Sequence, residues 1–231
     1  MDSGISVICS TNKLNSFENI LSNFLSQDYE PKELIVGLNF DVSNIDSIRS
    51  SLLNKNIKIV PLGSRRTLGE CLNRCIELAK YPIVGKIDDD DFYSPHYLSD
   101  TVRFLSIDDI DIVGKACHYV YFAKEKIMGL MNPERENRFV NRVAGSTLMF
   151  KKDIFKKIKF PHINLGEDKI FCSLAKEEDF NIYSTNRCHY VYIRKEKYKH
   201  TWKIDNSYIL KQCRFLSPVN DYKEFILNQC Q

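Results

Sequence analysis

Strand and helix signals alternate along residues 5–91, and the last strand signal runs straight into four consecutive aspartates. Residues 5–9, 34–38, 57–60 and 83–87 are short β-rich apolar runs. Between them apolar residues recur at helical spacing: Phe17, Ile20, Leu21, Phe24 and Leu25; then Ile45, Ile48 and Leu52; then Leu68, Cys71, Leu72, Cys75, Ile76 and Ala79. Asn15 with Glu18 three residues on predicts a capping box for the first helix. Apolar runs separated by helices predict an α/β fold, a Rossmann-like, mostly parallel central sheet with helices on both faces. Ligands of such sheets bind beyond the carboxyl ends of the strands, where the aspartates lie.

The second half is less regular. Residues 110–113, 119–122, 182–183 and 190–193 read as strands, and 145–150 as an extended apolar segment. Residues 153–158 and 167–176 read as helices, the second entered through Gly166. The stretch 128–142 is polar and reads as a loop; 206–215 and 222–227 read as closing helices. With no internal repeat and no Gly/Ser linker, no second domain separates from the first.

Charge is nearly balanced, at +3 overall, too mild to argue for a nucleic-acid partner. It is unevenly spread: residues 185–231 hold nine Lys/Arg against four Asp/Glu. This basic end could meet an acidic membrane surface, a polyanion or a diphosphate, or simply form a solvated face. No apolar run approaches the ~18 residues of a membrane span. The N-terminus lacks the basic start, apolar stretch and cleavage site of a secretory leader, so the expectation is a soluble cytoplasmic protein, with peripheral membrane contact held open. The eight cysteines show no CxxC spacing and are expected to be reduced thiols packed as small hydrophobes.

Three motifs carry chemistry. Asp88, Asp89, Asp90 and Asp91 repel one another, so a fold keeps them together in water or around a cation. At a strand end Asp88 and Asp90 can share a side, which suits a hard divalent metal with oxygen ligands. Gly166-Glu167-Asp168 is a helix-start pattern whose carboxylates could equally supply a general base. His200, beside the single Trp202, could complete a carboxylate metal site through a neutral imidazole. His96, His118, His162 and His189 have no such motif and read as structural or surface residues.

In this order the motifs resemble family 2 glycosyltransferases of the GT-A fold. The likeness begins at Ile5-Ser6-Val7-Ile8-Cys9-Ser10-Thr11-Asn12 and continues through Lys32-Glu33-Leu34-Ile35-Val36. Next come Thr67-Leu68-Gly69-Glu70-Cys71-Leu72-Asn73 and the DxD-like segment from Lys86 to Pro95. It ends in Gly145-Ser146-Thr147-Leu148-Met149-Phe150, Gly166-Glu167-Asp168 and His200-Thr201-Trp202, covering residues 5–204. The resemblance implies an inverting transfer from a nucleotide-diphosphate sugar, most often a UDP-sugar, to an acceptor hydroxyl on a glycan, a lipid-linked carrier or a protein. It implies Mn2+ or Mg2+ on Asp88, Asp90 and His200. It further implies donor contacts from Thr11, Asn39, Asp88 and Asp89, with Asp168 as base and Glu167 orienting acceptor or base. Residues 1–115 would form the nucleotide-sugar half, 116–204 the acceptor and catalytic half with a smaller sheet, and 205–231 a helical extension. The second strand departs from the family: it ends Gly37-Leu38-Asn39-Phe40-Asp41, where an acidic pair and Gly-Ser are common. The aspartate run also leaves two registers, Asp88/Asp90 and Asp89/Asp91; Pro95 favours the first. A nucleotidyltransferase, disfavoured by a glycine-free Ser10-Thr11-Asn12-Lys13 turn, and a non-catalytic sugar-nucleotide-binding module are the alternatives.

Overall fold

A computed structural model describes residues 3–41, 56–195 and 204–230. The helix expected around Ile45, Ile48 and Leu52 lies outside them. In chain order the first elements are β1 (Ile5–Thr11), α1 (Phe17–Leu25), β2 (Lys32–Leu38), β3 (Ile57–Pro61), α2 (Leu68–Leu78) and β4 (Ile83–Lys86). Then come β5 (Phe92–Tyr93), α3 (Tyr97–Val102), β6 (Ile112–Gly114), β7 (His118–Phe122), β8 (Ile127–Met131), β9 (Arg138–Phe139) and β10 (Met149–Lys151). The chain closes with α4 (Glu167–Glu177), β11 (Ile182–Ser184), β12 (Tyr190–Arg194), α5 (Asn206–Gln212), β13 (Cys213–Pro218) and α6 (Tyr222–Gln229).

Among the described residues, the larger sheet has the order β3-β2-β1-β4-β10-β6-β11-β9. Its first four strands are mutually parallel. Nearly every residue of β1, β2 and β4 is buried, as expected for strands covered on both faces. One face packs against Ile20 and Phe24 of α1 and against α3; the other packs against Leu72, Cys75 and Ile76 of α2 and Phe171 and Cys172 of α4. β10 enters antiparallel between β4 and β6, so strands from both halves of the chain share one sheet. A second sheet, β13-β8-β7-β12-β5, stands beside it. Pairing of β5 with β12 brings this sheet against the segment that follows β4.

Several expectations need correction. α1 has no side-chain cap, because Ser16 already has helical φ and ψ (−83°, −10°) after a 3₁₀ turn at Leu14–Ser16. The capping box forms instead at α2, between Thr67 and Glu70. The stretch read as a polar loop contains β8 and β9; β8 lacks alternation because both its faces are largely covered by the chain's own elements. Residues 145–147 form a 3₁₀ turn before β10, and the short helix after β10 is 3₁₀, at Lys152–Lys156. The extension 205–231 is not all helical: β13 pairs with β8, and this tertiary pairing overrides the helical pattern of 213–215.

The cysteine expectation also fails at one pair. Cys188 and Cys230 form a disulfide, because α6 ends against the loop that precedes β12 and brings their Cα atoms to 5.5 Å. Cys9, Cys71, Cys75, Cys117 and Cys172 are buried free thiols, as small hydrophobes would be, and Cys213 is a half-buried one. The bridge closes a loop across a sequence separation of 42 residues. Cys188→Ser is expected to lower unfolding free energy by about 3–4 kcal/mol, measured by urea denaturation under non-reducing conditions. No helix among the described residues is long and apolar enough to cross a membrane.

Candidate active site

The carboxyl ends of β1, β2 and β4 converge. The Asn39 N–H donates to the Thr11 carbonyl at 2.8 Å, joining the ends of β2 and β1. The Thr11 hydroxyl donates to Asp89 Oδ2 at 2.5 Å, joining β1 to the aspartate turn. Asn39 Oδ1 is buried and has no hydrogen-bond partner among the described residues.

The turn itself is held from three sides. Asn19 of α1 donates to the carbonyls of Asp89 (3.1 Å) and Asp91 (3.0 Å), and Asn23 donates to the Asp91 carbonyl at 2.9 Å. From β5, the Tyr93 hydroxyl accepts the Asp88 N–H at 2.8 Å and donates to the Ser146 carbonyl at 2.7 Å. From β12, the Tyr190 hydroxyl and the Ile193 N–H donate to the Asp91 carboxylate at 2.7 and 3.0 Å.

The four aspartates therefore differ. Asp91 is enclosed, and burial, with the charges of Asp90 and Asp88, pushes its carboxyl well above the usual range. Asp89 is raised by burial and by Asp90, against the lowering effect of the Thr11 hydrogen bond. Asp88 keeps a 40% exposed side chain and makes an ion pair with the Lys86 ammonium.

Lys86 is 4% exposed, at the last position of β4. Burial alone would lower its pKa, but the carboxylates of Asp88, Glu167 and Asp168 outweigh burial and hold it above the ordinary lysine value. The first turn of α4 is brought near the aspartate turn, although the two lie far apart in sequence, because Asp168 lies against Gly145 in the turn whose Leu148 carbonyl accepts the Lys86 N–H. α4 begins there because Gly166, at φ +83°, turns the chain through a conformation that side chains rarely adopt. Glu167 is buried, and burial first, then Asp168, raises its carboxyl despite Lys86. Asp168 is half-buried, and its side chain lies across the bare Cα of Gly145; a Cβ there would come within 2.3 Å of its Oδ2.

Thr11, Asn39, Asp88, Asp89, Asp90, Glu167 and Asp168 thus gather at one end of the larger sheet. His200 lies outside the described residues. Among the described residues no three His, Cys, Asp or Glu side chains form a ready cage for a metal ion. The other histidines stand elsewhere: His96 pairs with Asp28, His189 bonds Ser94, His118 is buried beside Tyr190 and Tyr192, and His162 is exposed. Sequence reasoning missed Lys86, Asn23, Tyr93 and Tyr190. Two left a signal: Lys86 interrupts an apolar strand, and Asn23 falls on the apolar face of α1 between Ile20 and Phe24.

This architecture is the GT-A fold of glycosyltransferases. S. aureus TarS 1-349 in complex with UDP-GlcNAc superposes with a TM-score of 0.66 over 84% of this chain, at 17% identity. The mannosyltransferase PcManGT from Pyrobaculum calidifontis, in complex with GDP-Man and Mn2+, gives 0.61 over 82%, at 18% identity. The chain spans 59% and 56% of those two chains. Residues 6–174 match Glycosyl transferase family 2, and the chain belongs to that family of enzymes. The O-antigen biosynthesis glycosyltransferase WbnJ of Escherichia coli is 26% identical over 189 residues, 78% of this chain and 70% of that protein.

Proposed function

We propose that this glycosyltransferase moves a sugar from a nucleotide-diphosphate donor, a UDP-sugar, to a hydroxyl of a glycan acceptor, with inversion and with Asp168 as base. The observation that carries the reading is that the aspartate turn, tied to β1 through Thr11, and the first turn of α4, seated against Gly145, come together at the carboxyl ends of β1 and β4. Thr11 and Asn39 are assigned to the nucleoside; the reading is supported by their position at the joined ends of β1 and β2, with the Thr11 hydroxyl tied to Asp89.

The donor set facing solvent is carboxylate oxygen, from Asp88 and Asp90, which fits Mn2+ or Mg2+ completed by diphosphate oxygens and water. His200 is assigned as a further ligand. Such a cation, when bound, stabilises charge on the departing diphosphate. Asp168 accepts the proton of the acceptor hydroxyl as its oxygen attacks the anomeric carbon. The anomeric carbon–oxygen bond to the diphosphate breaks, and the nucleoside diphosphate leaves on the opposite face. One displacement needs one base, and Glu167, buried beside Asp168, keeps that base oriented.

The enclosure of Asp91 supports the Asp88/Asp90 register. Asp91→Asn is expected to keep turnover within about fivefold of wild type, since a neutral side chain suits its enclosed site. Asp90→Asn is expected to lose about 100-fold or more, with nucleotide affinity falling in Mn2+. Comparing turnover and UDP affinity of the two variants checks the assignment. The reading as a whole is tested by a thermal-shift screen of nucleotide sugars with and without Mn2+. A UDP-sugar should raise the melting temperature more when Mn2+ is present. No response to any nucleotide sugar would overturn the donor class.

A further inference from the structure

Lysine is seldom enclosed in a strand, yet Lys86 is, and the chemistry above gives it no step. Its backbone is fixed: the Lys86 N–H donates to the Leu148 carbonyl at 2.7 Å, next to the turn that carries Gly145. Its ammonium touches Asp88. Asp168 lies against Gly145 of that same turn, so the first turn of α4 comes close to the end of β4, and the charges of Glu167 and Asp168 act on the Lys86 ammonium. Three carboxylates packed this closely repel one another, and two of them sit on a helix that has no covalent link nearby to the aspartate turn. A short, flexible carboxylate would drift out toward water without a counter-charge between them. By taking Oδ1 of Asp88, Lys86 also leaves the second oxygen of that carboxylate for the donor side.

We propose that Lys86 is a positioning residue: its buried ammonium bridges the aspartate turn and the first turn of α4 and holds Asp88, Glu167 and Asp168 in one arrangement before substrates arrive. The kinetic part of this inference rests on the reading of Asp168 as base; the bridge itself does not.

Two measurements test it on the full chain. In urea denaturation, Lys86→Met combined with Asp88→Asn, and separately with Glu167→Gln, should change the unfolding equilibrium at least about fivefold less than the product of the single effects. Lys86→Met with Asp179→Asn, a remote control, should multiply. In turnover assays, Lys86→Met should cost about 100-fold in kcat, as small misplacements of reacting groups do, while UDP affinity in Mn2+ falls by no more than about tenfold, since Asp88 alone of the three carboxylates is assigned to the donor side. Multiplicative effects in both test pairs would overturn the bridge. A loss of UDP affinity as large as the loss of kcat would overturn the positioning role and make Lys86 a donor-binding residue. Coupling in both pairs in a chain that transfers no sugar would uphold the bridge and overturn the proposed reaction.

Discussion

Asp168→Asn is expected to lower turnover by about 1,000-fold or more while UDP affinity in Mn2+ changes by less than about threefold. Asn has the same shape, so it fills the space over Gly145, but its amide cannot take a proton at neutral pH. The donor contacts proposed above lie at the ends of β1 and β2 and on the aspartate turn, and the substitution replaces none of them. Isothermal titration with UDP and Mn2+, alongside single-turnover transfer, separates the two quantities. A variant that loses nucleotide affinity in step with turnover would place Asp168 among the donor contacts. A variant that keeps its turnover would remove it from the chemistry.

The second large effect is expected at Gly145. An added methyl there would press on the Asp168 side chain, whose Cβ would be 2.6 Å and Oδ2 2.3 Å away. The clash reaches the Asp168 Cβ as well as its carboxylate, so rotation of the side chain alone does not relieve it. Gly145→Ala is therefore expected to reduce kcat about 100-fold, the scale of a misplacement near 1 Å, with donor affinity nearly unchanged. The turn has no positive φ at Gly145, so the effect comes from contact rather than from backbone strain. Gly145→Ala should consequently add little to Asp168→Asn, because both act through the same carboxylate. Independent losses in the double variant would contradict that shared route.

Much of this arrangement is legible in the sequence. β1, β2 and β4 announce themselves because strands covered on both faces need unbroken apolar runs, and α2 because its apolar stripe is clean. The aspartate turn is equally plain, since like charges in a row are costly without a reason, and Gly166 before two carboxylates marks a helix start. What escaped depends on tertiary context. Four identical aspartates carry no mark of which one is enclosed; only Tyr190 and Ile193, brought by β12, decide that it is Asp91. β13 continues a helix-forming stretch and becomes a strand because β8 offers it an edge. The Cys188–Cys230 bridge joins residues whose spacing says nothing, and it exists because the last helix folds back over the loop before β12.

The insertion of β10 between β4 and β6 has a consequence for how the molecule is made. While the chain emerges from the ribosome, β4 lies at an exposed margin of the parallel strands until residues 149–151 have been synthesised and have folded back. Until then its unpaired amides and carbonyls invite association with other nascent chains. The late strand therefore protects the growing molecule as well as completing its sheet, and the amino-terminal half is not a unit that could be cut out and expected to stay monomeric.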